Sequence, residues 1–461
     1  MLGSRFGRVP VFASQKRYLA AAASGKKPLS SGRNVVLVEG VRTPFLMSGT
    51  QYKNLMPHDL QRAAFLALLK KTELDPKLVE YCITGTVIQE VKTANISREA
   101  ALGAGIPESA PAHTVTQACI SSNQAMAEAA SWIASGKHDV VVCGGVEMMS
   151  DVPIRLSRKT RQQLLQLNKA KTMGQRLGLA MKILNPKSFF NFELPGIAEF
   201  STGEIMGHSS DRLAAAFNVS RKEQDDYAIR SHKAAQAAQD AGLLTDVVPY
   251  KVPGVAQTVA KDNGIRVSTP EQMAKLKPAF VKPHGSIKAA NASFLTDGAS
   301  ACLLMAEEKA LALGYKPKAY LRDYVFVSQD PKDQLLLGPA YATPRLLDKH
   351  GLTLNDVDVF ELHEAFAGQI LANLRAMESP FFAKTYMNRS SAVGTLPMER
   401  LNLWGGSLSL GHPFGATGIR LVTAAANRLH HEDKQLALVA ACAAGGIGHA
   451  MLVERYPAGK K

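Results

Sequence analysis

The stretch Gly411-His412-Pro413-Phe414-Gly415-Ala416-Thr417-Gly418 reads as a turn. Ile419–Leu429 then reads as a helix, and Leu436–Ala441 as a strand running into Cys442-Ala443-Ala444-Gly445-Gly446. The same order occurs far upstream. Cys119 stands just before a small-residue helix over 122–135, Gly136-Lys137-His138-Asp139 turns the chain, and the strand Val140–Cys143 stops at Gly144-Gly145. Turn, helix, strand and double glycine thus recur, with Cys119 in the first copy and His412 in the second. Repeated element order implies two similar halves. Packed face to face, they bring the starts of both helices to one site.

Working outward, strands are expected at Asn34–Val38 and Cys82–Gln89, with a helix from His58 to Lys70 between them. Buried apolar strands alternating with helices imply an α/β fold with parallel sheets. The span 151–290 reads differently. Ser220-Arg221-Lys222-Glu223 is a capping box opening a long helix that ends near Gly242. Pro253, Pro270, Pro278 and Pro283 then mark a loop-rich region. The expected division is an N-terminal half at 34–150 plus 291–318, an inserted loop domain at 151–290 and a C-terminal half at 319–461.

The 461 residues, 46% apolar and 20% charged, describe an ordinary globular chain able to bury a large core. No apolar run is long enough to span a membrane. The five cysteines, Cys82, Cys119, Cys143, Cys302 and Cys442, are sparse and odd in number, which argues against a disulfide framework and for a reducing compartment. Cys82, Cys143 and Cys302 lie in apolar strand patterns and read as structural. The net charge is +15. Residues 1–38 hold no Asp or Glu but carry Arg5, Arg8, Lys16, Arg17, Lys26, Lys27 and Arg33 among Ser and Ala, so 1–33 reads as a mitochondrial presequence. What remains is still basic, which suits polyanionic small ligands or an anionic membrane surface. Nucleic acid is not expected, because no aromatic-rich basic patch appears.

Residues 152–192 are equally free of acid. They interleave Arg155, Arg158, Lys159, Arg161, Lys169, Lys171, Arg176, Lys182 and Lys187 with leucines and other apolar residues. A basic amphipathic helix that lies on anionic membrane or docks a partner fits this pattern, and so does a solvated helical hairpin.

Cys119 is the first candidate for chemistry. At a strand-to-helix transition the unpaired amides of the helix start favour a thiolate. His412, between glycine and proline at the mouth of a helix, is placed to take a proton from a thiol. The loop is not a Walker loop, since no Gly-Lys-Ser/Thr follows. His363-Glu364 is not a zinc-protease motif, because Ala367 stands where the second histidine belongs, and no other metal-ligand spacing occurs. His363 follows the strand Val357–Glu361, a suitable place for an oxyanion donor. Cys442, at a strand end, can act as acid or base toward carbon.

Together, Cys119 before its helix, His363-Glu364-Ala365-Phe366, Gly405-Gly406 leading to Gly411-His412-Pro413, and Cys442-Ala443-Ala444-Gly445-Gly446 resemble the thiolases, which are acetyl-CoA acyltransferases. Met206-Gly207-His208-Ser209-Ser210-Asp211 and Asn291–Ala299 are similar too. The likeness runs from about 34 to 456, apart from the basic stretch. It implies a layered α-β-α-β-α core of duplicated βαβ halves with an inserted loop domain. It further implies that Cys119 attacks a 3-oxoacyl-CoA, that His412 accepts the thiol proton, and that Cys442 shuttles a proton to the leaving carbanion and from incoming CoA. By the same resemblance His363 and His412 serve the thioester oxygen. The amides of Cys119 and Ala444 serve the tetrahedral oxyanion, and Met206, Ser293 and Phe366 line the pantetheine channel. No cofactor is implied, CoA being a substrate.

Two positions depart from the common family pattern: His363 stands where many members have Asn, and Ala444 where many have Gly. The histidine, the basic insertion and the presequence are similar to mitochondrial members acting on long-chain substrates in fatty-acid β-oxidation. Those members imply a homodimer core within a hetero-oligomer, an α subunit with hydratase and dehydrogenase activities, and a peripheral place on the matrix face of the inner membrane. Three alternatives stay open: a short-chain acetoacetyl-CoA thiolase, a ketoacyl-synthase-like condensing enzyme, and a silent membrane-anchoring scaffold. Cys442 argues against the condensing enzyme, which needs histidine there.

Overall fold

The computed structural model describes residues 32–185, 191–196 and 198–457. The expected presequence lies outside them except for its last two residues, as do residues 186–190 of the basic stretch.

The strands of the main sheet are β1 (Val35–Arg42), β2 (Tyr81–Gly85), β3 (Ala112–Val115), β4 (Val140–Glu147), β5 (Thr296–Ala306), β6 (Ala319–Ser328), β7 (Val359–Leu362), β8 (Leu436–Ala443) and β9 (Ile447–Arg455). The principal helices are α1 (Pro57–Thr72), α2 (Ile96–Gly103), α3 (Ser121–Ala134), α4 (Arg158–Lys169), α5 (Met173–Leu184), α6 (Met206–Ala216), α7 (Arg221–Asp240), α8 (Gly338–His350), α9 (Ala367–Glu378) and α10 (Thr417–His431).

Hydrogen bonding joins the strands in the order β7-β8-β9-β6-β1-β5-β4-β2-β3, with Leu46–Met47 added beside β5. The seam between the halves is thin: β1 meets β6 only at Val36–Tyr320 and Leu37–Ala319.

The strands are apolar on both faces, and alternate residues feed different cores. In β8, Leu436, Leu438, Ala440 and Cys442 pack with α8 and α9. Ala437, Val439, Ala441 and Ala443 face the centre. In β4, Val140 and Val142 pack with α1, whereas Val141 and Cys143 face the centre. That central layer is α3 and α10, whose Met126, Ala129, Ile133, Ile419, Val422 and Ala426 are buried between the halves. The result is the expected five layers. Each fully buried Leu, Ile or Val contributes about 1.5–3 kcal/mol over its exposed state, so the central helices are fixed firmly.

Two expectations need correction. The sheet is mixed, not parallel. β7–β8, β4–β2 and β2–β3 are parallel, but β8–β9, β9–β6, β1–β5 and β5–β4 are antiparallel. Ala444-Gly445-Gly446 shows why. A parallel return needs a crossover of about a dozen residues or more, and a three-residue link with Gly445 at φ +89° and Gly446 at φ +68° makes a hairpin instead. The second correction concerns Gly144-Gly145, which lie inside β4 and do not end it. A Cβ on Gly145 would come within 2.2 Å of the Gly415 carbonyl oxygen, so this glycine admits the His412 loop.

Between β4 and β5 the chain leaves the sheet. α4 and α5 pack on each other as a hairpin, while α7 begins at the predicted capping box, with Ser220 Oγ accepting from the Glu223 amide at 3.2 Å.

Candidate active site

Cys119 sits on a tight elbow. Ala118 takes φ +48°, an uncommon conformation for a residue with a side chain. The elbow is pinned by the Gln117 amide donating to Ser121 Oγ at 2.8 Å and by Ser121 Oγ donating to the Ala118 carbonyl at 2.6 Å. α3 begins directly behind the sulfur. The start of α10 packs against it because residue 418 is glycine; a Cβ there would lie 2.2 Å from Asn123 Oδ1. The two helix starts therefore meet, as the repeated pattern implies.

From the other half, the His412 amide donates to Thr296 Oγ1 at 3.0 Å, tying its loop to β5. The Glu147 carboxylate, buried at the end of β4, accepts the amides of Val87 (3.1 Å), Ile88 (2.9 Å) and Gly415 (3.0 Å). Burial pushes that carboxyl up to about 7, against three amides that favour the anion. Glu147 thus staples the loop of one half to the sheet of the other.

Cys119, His363 and His412 converge. One ligating atom from each lies within 4.8 Å of the other two, and the imidazole centroids are 4.1 Å apart. All three residues are buried. His412 Nδ1 lies 2.7 Å from Thr417 Oγ1, whose own proton goes to the Pro413 carbonyl at 3.2 Å. Thr417 is therefore the acceptor, His412 Nδ1 carries the hydrogen, and Nε2 keeps its lone pair. Among the described residues Nε2 has no partner, nor has Nε2 of His363. Burial, then the neighbouring charges of His363 and Arg420, hold the His412 imidazole well below its ordinary range. Burial and Arg420 hold His363 down at about 3. Both rings are neutral at physiological pH.

Cysteine and two imidazoles this close form a donor set that sequence spacing did not disclose, and it is dense enough to hold a metal ion. Three neutral donors in a buried enclosure also suit a thiol passing its proton to a base.

The thiol itself corrects the sequence reading. Burial pushes Cys119 up to about 12, outweighing the amides of Ala444 and of Cys119 itself, which donate to the sulfur. The helix start does not preform a thiolate; desolvation wins, and a base must take the proton during attack. Below its pKa, thiolate rises about tenfold per pH unit. The rate of Cys119 alkylation by iodoacetamide, followed by peptide mass, should therefore climb without a plateau past the ordinary value of 9.0. A rate independent of pH near neutrality would show a preformed thiolate and contradict this.

Cys442 stands at the end of β8, its penultimate residue, opposite Gly448. It is buried, and both burial and the charge of the nearby Cys119 push its thiol upward. His363 follows β7, with its amide donating to the Ala440 carbonyl of neighbouring β8 at 2.8 Å. Strand pairing thus carries His363 and Cys442 to the same sheet end.

The three channel candidates also gather. Ala292 bridges Phe366, and the Ser293 amide donates to the Ala365 carbonyl at 2.9 Å. The Phe366 ring meets Phe280 edge-on at 6.0 Å, and the start of α6, where Met206 stands, packs on the same Phe280. Other functional neighbours were not singled out from sequence: Ser407, Thr417, Arg420, Glu147 and Glu364. Glu364 accepts from Tyr227 Oη (2.9 Å), Ser231 Oγ (2.8 Å) and Asn402 Nδ2 (2.7 Å), anchoring the box to α7. Ser407 and Thr417 do lie in the glycine-rich stretch, but which way each hydroxyl points is invisible there.

The family model described as "Thiolase, N-terminal domain" matches residues 35–308, and "Thiolase, C-terminal domain" matches 315–455. The chain belongs to the thiolase family. This thiolase is 66% identical over 458 residues to the mitochondrial trifunctional enzyme subunit beta of Bos taurus, covering 98% of this chain and 96% of that one. It is 60% identical over 438 residues to a probable 3-ketoacyl-CoA thiolase of Caenorhabditis elegans, covering 95% and 97%. Among solved structures, human mitochondrial 3-ketoacyl-CoA thiolase superposes with TM-score 0.78 at 29% identity, covering 93% of this thiolase and all of that chain.

Proposed function

We propose that this thiolase cleaves 3-oxoacyl-CoA, preferentially long-chain, with CoA, giving acetyl-CoA and an acyl-CoA shortened by two carbons. The observation that carries the reading is the buried cluster of Cys119 and His412, whose lone-pair-bearing Nε2 is unpartnered among the described residues, with Cys442 close enough to feel the charge of Cys119. As Cys119 attacks the keto carbon, His412 Nε2 takes its proton. The carbon–carbon bond breaks, the acyl group stays on sulfur, and the acetyl-CoA enolate takes the Cys442 proton. A thiol raised by burial suits this step, because it keeps its proton until a strong carbon base forms. Cys442 thiolate then deprotonates CoA, whose sulfur displaces the acyl group from Cys119, with His412 returning the proton. The Cys119 and Ala444 amides, already aimed at the sulfur, are placed for the tetrahedral oxyanion, and His363 and His412 for the thioester oxygen. Such a donor contributes about 2.7–4 kcal/mol to a transition state. Met206, Ser293 and Phe366 would line the pantetheine channel. We read 34–150 with 291–318 and 319–461 as the two halves meeting at this site, and 151–290 as the substrate-covering insertion. A thiolysis assay across acyl lengths tests the function; a preference for the four-carbon substrate contradicts the long-chain reading, and inactivity on every length contradicts thiolysis.

The relatives named trifunctional enzyme subunit beta, mitochondrial, support an α subunit partner and a mitochondrial location; we read that partner as carrying hydratase and dehydrogenase activities, around a homodimer core of this chain. No helix of the described residues is long and apolar enough to cross a membrane. On α5, however, Met173, Leu177, Met181 and Leu184 are 67–81% exposed and recur at helical spacing, while α4 and α5 carry six basic residues and no acidic one. An apolar stripe within a basic hairpin suits peripheral contact with the anionic matrix face of the inner membrane. Replacing Leu177 and Met181 together by Ser should weaken cosedimentation with cardiolipin-containing vesicles about tenfold or more, since each buried apolar side chain contributes about 1.5–3 kcal/mol. Unchanged cosedimentation would contradict membrane contact.

A further inference from the structure

The two imidazoles beside Cys119 are chemically alike, equally buried and only 4.1 Å apart between centroids, yet the thiolysis reading needs one as base and one as donor. What separates them is the hydroxyl behind each ring. We propose that Ser407, held by Arg420, is a positioning residue that fixes His363 with its hydrogen on Nε2 as an oxyanion donor. The inference rests on the thiolysis reading and goes beyond it by explaining how the histidine roles are kept apart.

Arg420 Nη2 lies 2.8 Å from Ser407 Oγ, and a guanidinium only donates, so Ser407 accepts there. The other partner of Ser407 Oγ is His363 Nδ1 at 3.0 Å. If the imidazole donated through Nδ1, the Ser407 hydrogen would be left buried and unmatched, at a cost of about 1–3 kcal/mol. His363 Nε2 would then also keep a lone pair, as His412 Nε2 does, leaving neither ring with an Nε2–H to donate. With Ser407 donating, both problems vanish: His363 Nε2 carries the hydrogen and His412 Nε2 the lone pair. Thr417 does the reverse behind His412, because its hydrogen is already committed to the Pro413 carbonyl.

Arg420 is built in for this purpose. It is 2% exposed and issues from the first turn of α10. Its nearest carboxylate oxygen, on Glu361, is 3.8 Å away from Nη1, while Arg428 takes the other oxygen of Glu361 at 2.8 Å. The guanidinium is thus only loosely neutralised. It also opposes a second proton on His363, which keeps that ring a neutral donor and not a cation.

The test uses the full-length protein and two readouts. In Ser407→Ala, kcat for thiolysis should fall roughly 10–100-fold with KM changed less than about threefold, the pattern of a group acting in the transition state. In a His363→Asn background the same change should cost less than about twofold, because Ser407 would act only through the missing ring. Equal losses in both backgrounds, or none in the first, overturn the proposal while leaving thiolysis by the unsubstituted protein intact. An unsubstituted protein that cleaves no 3-oxoacyl-CoA instead removes the thiolysis reading, and the proposal falls with it. The second readout needs no variant of Ser407 to fold. In 15N-histidine-labelled protein, long-range proton–nitrogen correlations assigned by their loss in His363→Asn should show His363 as the Nε2–H tautomer. An Nδ1–H or mixed pattern overturns the assignment.

Discussion

Replacing Cys119 by serine should abolish thiolysis, lowering kcat by about 10,000-fold or more while the protein stays folded. The size follows from the base available. His412 is a weak one, held well below the ordinary imidazole range by burial and by His363 and Arg420. It can assist a thiol, even one that burial raises to about 12, but an alcohol in the same place is several orders of magnitude less acidic. The substitution changes little else, since the elbow is held by Ser121 and not by the reactive side chain. Disappearance of 3-oxoacyl-CoA absorbance in the presence of CoA measures the effect. Activity within tenfold of the unsubstituted protein would mean that another group is the nucleophile.

Replacing Cys442 by serine should separate the two halves of the reaction. The serine proton is too tightly held to meet the enolate in time, so carbon–carbon cleavage should fall about 1,000-fold, within the range for losing a general acid. Acyl transfer to Cys119 from a simple acyl-CoA makes no carbanion and should persist. The charge of Cys119 is already among the causes that raise the Cys442 thiol, which places the two sulfurs in one electrostatic environment. Persistence of acylation with loss of cleavage is the expected outcome; unimpaired thiolysis would exclude the role.

Much of this was legible in the sequence, and the exceptions share a cause. The repeat around Cys119 and His412 gave the two halves because short-range element order survives as apolar periodicity and glycine placement. The direction of β9 was missed because it depends on three residues, Ala444, Gly445 and Gly446, being too few for a crossover. Gly144-Gly145 looked like a strand stop; in fact Gly145 makes room for a loop 270 residues away, and local pattern carries no such information. The positions of Cys119, His363, His412 and Cys442 followed from their boxes, but their ionisation did not. A helix start suggested a thiolate, and burial reversed the sign. The polarity of Ser407 and Thr417 depends on which neighbours have already used their hydrogens, a three-dimensional property that leaves no trace in residue spacing.

The central claim is that Cys119 carries the shortened acyl chain between the two half-reactions. Brief mixing with a long-chain 3-oxoacyl-CoA, without added CoA, followed by acid quench and peptide mass analysis, tests it most directly. The account predicts an acyl group two carbons shorter than the substrate on the peptide containing Cys119, with acetyl-CoA released in equal amount. An acyl group of full length, or one carried on Cys442 or another residue, would contradict it.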